Sequence, residues 1–184
     1  MRNCLIIIIF TLIITACKTR QPIITLPPVV EDTEESETNF AEQSTWLLGY
    51  VSLFQMTRLP HSEWYESGFR NYRFDENIAE KIRGVLPEEI SITIVLGTWC
   101  PDSRREVPRF MRLLNYLKFP EEKLTFIGVD NVKLSPITEY EALNIERVPT
   151  FIFYKNNIEI GRIIEVPVTS LEQDMLNILR GNKK

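Results

Sequence analysis

The chain has 184 residues, 44% of them hydrophobic and 25% charged, with a formal net charge of −4. That size and hydrophobic share suit one globular domain with appendages. The mild acidity, with no basic patch and no basic–aromatic stripe, excludes a nucleic-acid partner on charge grounds.

The first residues read as a targeting signal rather than as structure. Arg2 supplies a minimal positive start, Cys4 to Ile14 is a short apolar core, and Ile14-Thr15-Ala16-Cys17 is a run of small residues ending on cysteine. The run resembles the lipobox of bacterial lipoproteins, which implies cleavage before Cys17 and lipidation of its sulfur. The apolar stretch is shorter than the roughly 20 residues that span a bilayer. Lipid on Cys17 would hold the protein on a membrane without any protein span. The expected location is the bacterial cell envelope, lipid-anchored and facing the periplasm. Of the three cysteines, Cys4 leaves with the signal and Cys17 carries lipid. Cys100 is then the one free thiol in an oxidising compartment, with nothing to form a structural disulfide.

The chain accordingly divides into a signal peptide over 1–16, an acidic, proline-containing linker over 17–42, an aromatic-rich extension over 43–73 and a main domain over 74–184. In the linker Pro22, Pro27 and Pro28 precede Glu31-Asp32-Thr33-Glu34-Glu35-Ser36-Glu37, a solvated acidic run. In the extension Trp46, Leu47, Tyr50, Val51 and Phe54 recur at helical spacing. Trp64, Tyr65, Phe69, Tyr72 and Phe74 follow, either packed on the sheet or facing a substrate. His61 is the only histidine and has no ligand set around it, so no metal site is predicted.

In the main domain Ile78, Ala79, Ile82 and Val85 predict a helix over 76–85. Ile92-Thr93-Ile94-Val95-Leu96 is an apolar, β-branched run typical of a buried strand. After Gly97-Thr98-Trp99-Cys100-Pro101-Asp102-Ser103, the residues Val107, Phe110, Met111, Leu114 and Leu117 give one apolar helical face. Pro108 should kink that helix. Leu124 to Asp130 is a second buried strand, parallel to the first because a helix connects them. A short helix is predicted over 136–143, then the Val148-Pro149 loop and two strands, 151–154 and 158–164, joined through Lys155-Asn156-Asn157 as a hairpin. Ser170-Leu171-Glu172-Gln173 reads as a capping box for a last helix. The order is β-α-β-α-β-β-α.

Cys100 thus sits where a central strand turns into a helix. Unpaired N–H groups and the dipole at that helix start favour thiolate over thiol, so Cys100 is predicted to be a nucleophile. Trp99-Cys100, Ser103, Glu106 and Pro108, with Val148-Pro149 downstream, are similar to the thioredoxin superfamily. The nearest pattern is its membrane-tethered TlpA/ResA-type thiol-disulfide oxidoreductases, over roughly residues 74–181. The resemblance implies an α/β thioredoxin-like fold: a central mixed sheet flanked by helices, with an N-terminal extension. It also implies a cis Val148–Pro149 bond whose backbone receives substrate, contacts from Trp99 and Pro101, an acid/base role for Glu106, and no cofactor.

Two departures stand out. Ser103 occupies the place of the resolving cysteine, so an internal disulfide cycle is excluded; Ser103 remains placed to donate to the Cys100 thiolate. Ile94 stands where many thioredoxins bury an acid. Arg104 and Arg105 are either simply exposed or act on the thiolate or on an anionic thiol such as glutathione. The functional expectation is monothiol thiol-disulfide exchange, of isomerase or reductase type, on disulfide- or thiol-containing extracytoplasmic protein clients. An external thiol or a thioredoxin-type electron donor would complete the cycle. The alternative is a redox-inactive binding module on the same fold.

Overall fold

The computed structural model describes residues 39–181. The signal and lipobox assignments, Cys17 included, lie outside them. Among the described residues five strands form one sheet: β1 Gly49–Val51, β2 Ile90–Leu96, β3 Leu124–Gly128, β4 Thr150–Lys155 and β5 Ile158–Ile164. Their spatial order is β1-β3-β2-β4-β5. Only β2 and β3 are parallel, with Ile94 opposite Phe126; the other neighbours are antiparallel. Five helices accompany the sheet: α1 Leu53–Met56, α2 Ser62–Asn71, α3 Glu76–Val85, α4 Pro101–Tyr116 and α5 Leu171–Leu179. This is the expected mixed α/β, thioredoxin-like architecture.

The central strand β2 shows why the sheet is covered on both faces. Ile92, Ile94 and Leu96 point into a large core with Phe110, Phe151 and Phe153, whereas Val95 points to the opposite face and a smaller core. Side chains alternate along a strand, so a run apolar at both parities has to be buried twice. The smaller core contains Cys100, Val129, Tyr140, Val148 and Ile152. Cys100 is therefore built into a packed layer beneath the loop that carries Val148.

The structure differs from the predicted elements at two places. Residues 46–54 do not form one helix. Gly49–Val51 is an edge strand paired to β3, with Val51 buried and Tyr50 70% exposed. The apolar residues there satisfy a period of two as well as a helical one, and pairing to β3 decides between them. A close approach fixes the pairing, because a Cβ on Gly128 would run into the Leu47 carbonyl. Only Leu53–Met56 is helical, closed at its start by a reciprocal Ser52–Gln55 capping box. The second difference is the helix over 136–143, which reduces to one 3-10 turn, Tyr140–Leu143. Glu139 (φ 67°) and Asn144 (φ 48°) bracket it in the left-handed region, where a right-handed helix cannot continue.

The hairpin turn has Asn156 at φ 51° and Asn157 at φ 63°, the two positive values a type I′ turn requires. At α5 the Ser170 hydroxyl accepts from the Gln173 N–H, while the Gln173 side chain turns away to Asn177 at 2.9 Å, so the box is half formed. Helix α4 runs from Pro101 through Pro108 to Tyr116. Pro108 faces α2, where a Cβ on Gly68 would come within 2.5 Å of its ring. Glycine there lets α2 lie close on α4 and brings the aromatic extension onto the core, with Tyr65 buried.

Candidate active site

Strand β2 ends at Leu96 and α4 begins at Pro101, so four residues make the whole connection. Cys100 is the N-cap of α4, in extended geometry (φ −82°, ψ 122°). Its side chain is 7% exposed. The sulfur does not receive the helix N–H groups as the sequence suggested, since no side-chain cap bond is made at Cys100. Pro101 at the first helical position has no N–H to give. The thiol instead donates to the Val148 carbonyl at 3.4 Å. Val148–Pro149 is cis, and both residues are buried. The cysteine and the cis-proline loop, 48 residues apart in sequence, are thus in direct contact.

Ser103 is fully buried, and its hydroxyl oxygen accepts from the Gly97 N–H at 3.2 Å. The expected hydrogen bond to Cys100 is not formed. Gly97 has just left the strand ladder, and its buried donor needs a partner that Ser103 supplies. Serine here holds the loop between β2 and α4 closed.

Glu106 is 4% exposed and accepts from Arg105 Nε at 2.6 Å and from Arg109 Nη1 at 3.2 Å. Arg105 also pairs with Asp102 at 2.6 Å. The carboxylate is therefore held between cations along α4, and its hydrogen bonds do not reach Cys100 or Ser103.

Trp99 lies beside the cysteine, half-buried, and its indole N–H donates to the Val129 carbonyl at 2.9 Å. Its ring folds back over Gly97, where a Cβ would come within 2.6 Å of it. Pro101 is exposed at the mouth of the site. On the far side of the cis bond, the Pro149 carbonyl accepts from the Glu165 N–H at 2.7 Å and Thr150 Oγ1 donates to the Arg147 carbonyl at 2.6 Å. The structure thus brings Cys100, Trp99, Pro101, Val148 and Pro149 around one point and seats Ser103 and Glu106 in the supporting framework.

Sequence reasoning missed how closely the segment before β1 belongs to this site. Thr98 is fully buried, its hydroxyl accepting from the Leu47 N–H at 3.1 Å. Trp46 packs against Trp99 with ring centroids 6.2 Å apart. The Arg104 guanidinium lies over the Phe40 ring at 4.5 Å and donates to the Thr98 carbonyl at 3.4 Å. His61, behind Phe40, is buried with Nδ1 unpartnered. Burial, and then the charge of Arg104, push its pKa below the usual histidine value. A second cis bond, Leu59–Pro60, precedes it. Nothing in the local pattern of residues 40–61 signals these contacts, because they join segments about 50 residues apart. Among the described residues no group of three metal-ligating side chains gathers, and no helix is long and apolar enough to cross a membrane.

No protein-family profile matches the chain. It is 36% identical to thioredoxin H5 of rice, Oryza sativa subsp. japonica, over 76 residues, 39% of this chain and 51% of the rice protein. The chain thus spans about half the length of that relative. It is 29% identical over 111 residues to a Dictyostelium discoideum protein named as a thioredoxin, covering 59% of this chain and 99% of the other. A solved structure from Pseudomonas aeruginosa, of a protein of unknown function, aligns over 66% of this chain and 80% of its own with a TM-score of 0.44 and 13% identity, too distant to bear on fold or function. The fold and the contact of Cys100 with a cis-proline loop accord with this likeness to two thioredoxins.

Proposed function

We propose that this protein carries out monothiol thiol-disulfide exchange through Cys100, in the manner of TlpA/ResA-type proteins. It would act on extracytoplasmic clients while anchored by lipid on Cys17. The observation that carries this reading is the contact between the Cys100 thiol and the Val148 carbonyl of the cis Val148–Pro149 loop, at 3.4 Å. An extended client strand pairing with that loop would bring its disulfide to the sulfur. Cys100, as thiolate, attacks one client sulfur; the S–S bond breaks, a mixed disulfide forms, and the other client sulfur leaves as thiolate. Cys100 is the free cysteine among the described residues, so release needs a thiol from outside them, either a second client cysteine or a small thiol. With the second client cysteine the net result is isomerisation; with two small thiols it is reduction of the client and oxidation of the thiols to their disulfide.

The test is covalent capture in cells that express the full chain. Wild type should give adducts of higher mass on a non-reducing gel that collapse on reduction, and Cys100→Ser should give none. Adducts that persist in Cys100→Ser defeat the proposal. A second reading, a binding module without redox chemistry, is favoured by the 7% exposure of Cys100 and by the seating of its thiol on a carbonyl. It predicts partner capture that Cys100→Ser leaves intact and that needs no covalent bond. Labelled fatty acid carried by the wild-type chain and lost in Cys17→Ala tests the anchor.

A further inference from the structure

We propose that Arg104 selects the thiol that resolves the Cys100 mixed disulfide, favouring a small thiol that carries a carboxylate or sulfonate. The proposal rests on the exchange reading above and goes further by naming the chemical class of the co-reactant.

The arginines around Cys100 are not equivalent. Arg105 is paired with Asp102 and Glu106, Arg109 with Glu106, and Arg147 with Glu165. Arg104 has no carboxylate partner among the described residues. It nevertheless stands in the first turn of α4, its backbone N–H donating to the Cys100 carbonyl at 3.1 Å. Its side chain returns over the 98–100 loop to the Thr98 carbonyl. The Phe40 ring holds the guanidinium from the other side at 4.5 Å. The result is a held cation that, among the described residues, has no carboxylate partner and leaves most of its five N–H donors unused. Burial lowers the Arg104 pKa, and the charge of Cys100 pulls it back up in part, so the guanidinium lies within electrostatic range of the sulfur. A planar guanidinium in that state is a receptor for a carboxylate or sulfonate.

The chain has a use for such a receptor at this place. Ser103, a hydroxyl that accepts from the Gly97 N–H, cannot form a disulfide and so cannot resolve the mixed disulfide. A small thiolate RS⁻ attacks Cys100 Sγ, the client thiolate leaves, and Cys100–S–S–R forms. A second RS⁻ attacks the outer sulfur and releases Cys100 as thiolate with RSSR. Two RSH lose two electrons and two protons and become RSSR; the client disulfide gains both, the protons passing through water. In both attacks the entering thiol passes Arg104, so the charge on R decides how often it arrives in place.

The experiment uses the full chain in neutral detergent. Cys100 is loaded with 2,2′-dipyridyl disulfide, whose leaving group is uncharged, and the thiopyridyl group is discharged by 3-mercaptopropionate, 2-mercaptoethanol or cysteamine. Each rate is divided by that of wild type with the same thiol, which cancels intrinsic thiol reactivity. Arg104→Gln is expected to slow 3-mercaptopropionate about fivefold, the effect of one contact charge in a high dielectric. It should leave 2-mercaptoethanol within about twofold and speed cysteamine. Arg104→Lys should keep most of the preference, and molar salt should erase it in wild type. If all three thiols slow together in Arg104→Gln, the residue only positions the Thr98 loop and the proposal is overturned. It is likewise overturned if none of the rates changes. If wild type cannot be loaded at all, the exchange reading itself fails, and that outcome is visible before any thiol is added.

Discussion

Replacing Glu106 separates two jobs a buried carboxylate could have beside a reactive cysteine. In the structure Glu106 is 4% exposed and accepts from two arginines, at 2.6 and 3.2 Å. Breaking a fully buried ion pair by removing one partner costs about 3–5 kcal/mol. Here the partners are far from fully buried, with side chains 40% and 38% exposed, so water recovers part of the loss. Glu106→Gln keeps the shape and one acceptor and should cost about 1–2 kcal/mol; Glu106→Ala, which also leaves a cavity, about 2–3 kcal/mol. For a domain of this size Glu106→Gln then lowers the melting temperature by roughly 2–8 °C. The assay pairs urea unfolding with the rate at which Cys100 accepts a thiopyridyl group. Anchoring predicts the stability loss with a rate within about threefold of wild type. A rate loss of a hundredfold or more, the scale of general acid–base catalysis, together with unchanged stability, would refute the argument and restore Glu106 to the chemistry.

The parts of this molecule legible in its sequence are those set by local pattern. The parity of Ile92, Ile94 and Val95 announces a strand buried on both faces, and the two asparagines announce the turn that supplies two positive φ values. Val148-Pro149 and Trp99-Cys100 were readable as one site only through resemblance, because no spacing rule joins residues 48 apart. What was not legible depends on contacts made across the sheet. Gly49–Val51 reads as helix until Gly128 and Leu47 are seen to touch. Ser103 looks free to serve the sulfur until the Gly97 N–H, orphaned at the end of β2, is found to need it. Glu106 reads as an acid/base through the resemblance, because the sequence cannot say that Arg105 and Arg109 close over it where it is buried. In each case a polar group took the partner that burial demanded, and burial is a property of the assembled fold.

Two further predictions follow from backbone approach and from His61. Gly128→Ala places a Cβ against the Leu47 carbonyl, a backbone atom that cannot rotate away. It should destabilise the fold by about 2 kcal/mol or more and loosen β1, read as faster amide exchange at Tyr50 and Val51; a loss under about 0.5 kcal/mol would show that the segment before β1 yields freely. His61 is buried, and burial and the nearby Arg104 guanidinium hold its pKa below the 6.5 of the unfolded chain. Between the two values the unfolded chain binds a proton that the folded chain refuses, so stability rises with pH there. The contribution is complete above about pH 6.5 and is lost as the pH falls toward the folded value. The urea midpoint of wild type should therefore drop between pH 7.5 and 5.5, and His61→Phe should flatten that drop even if its stability at pH 7.5 is lower. Arg104→Gln should flatten it in part, since it removes the charge that opposes protonation and leaves the burial. An equal slope in wild type and His61→Phe would assign the acid sensitivity to other groups and leave His61 a packing residue.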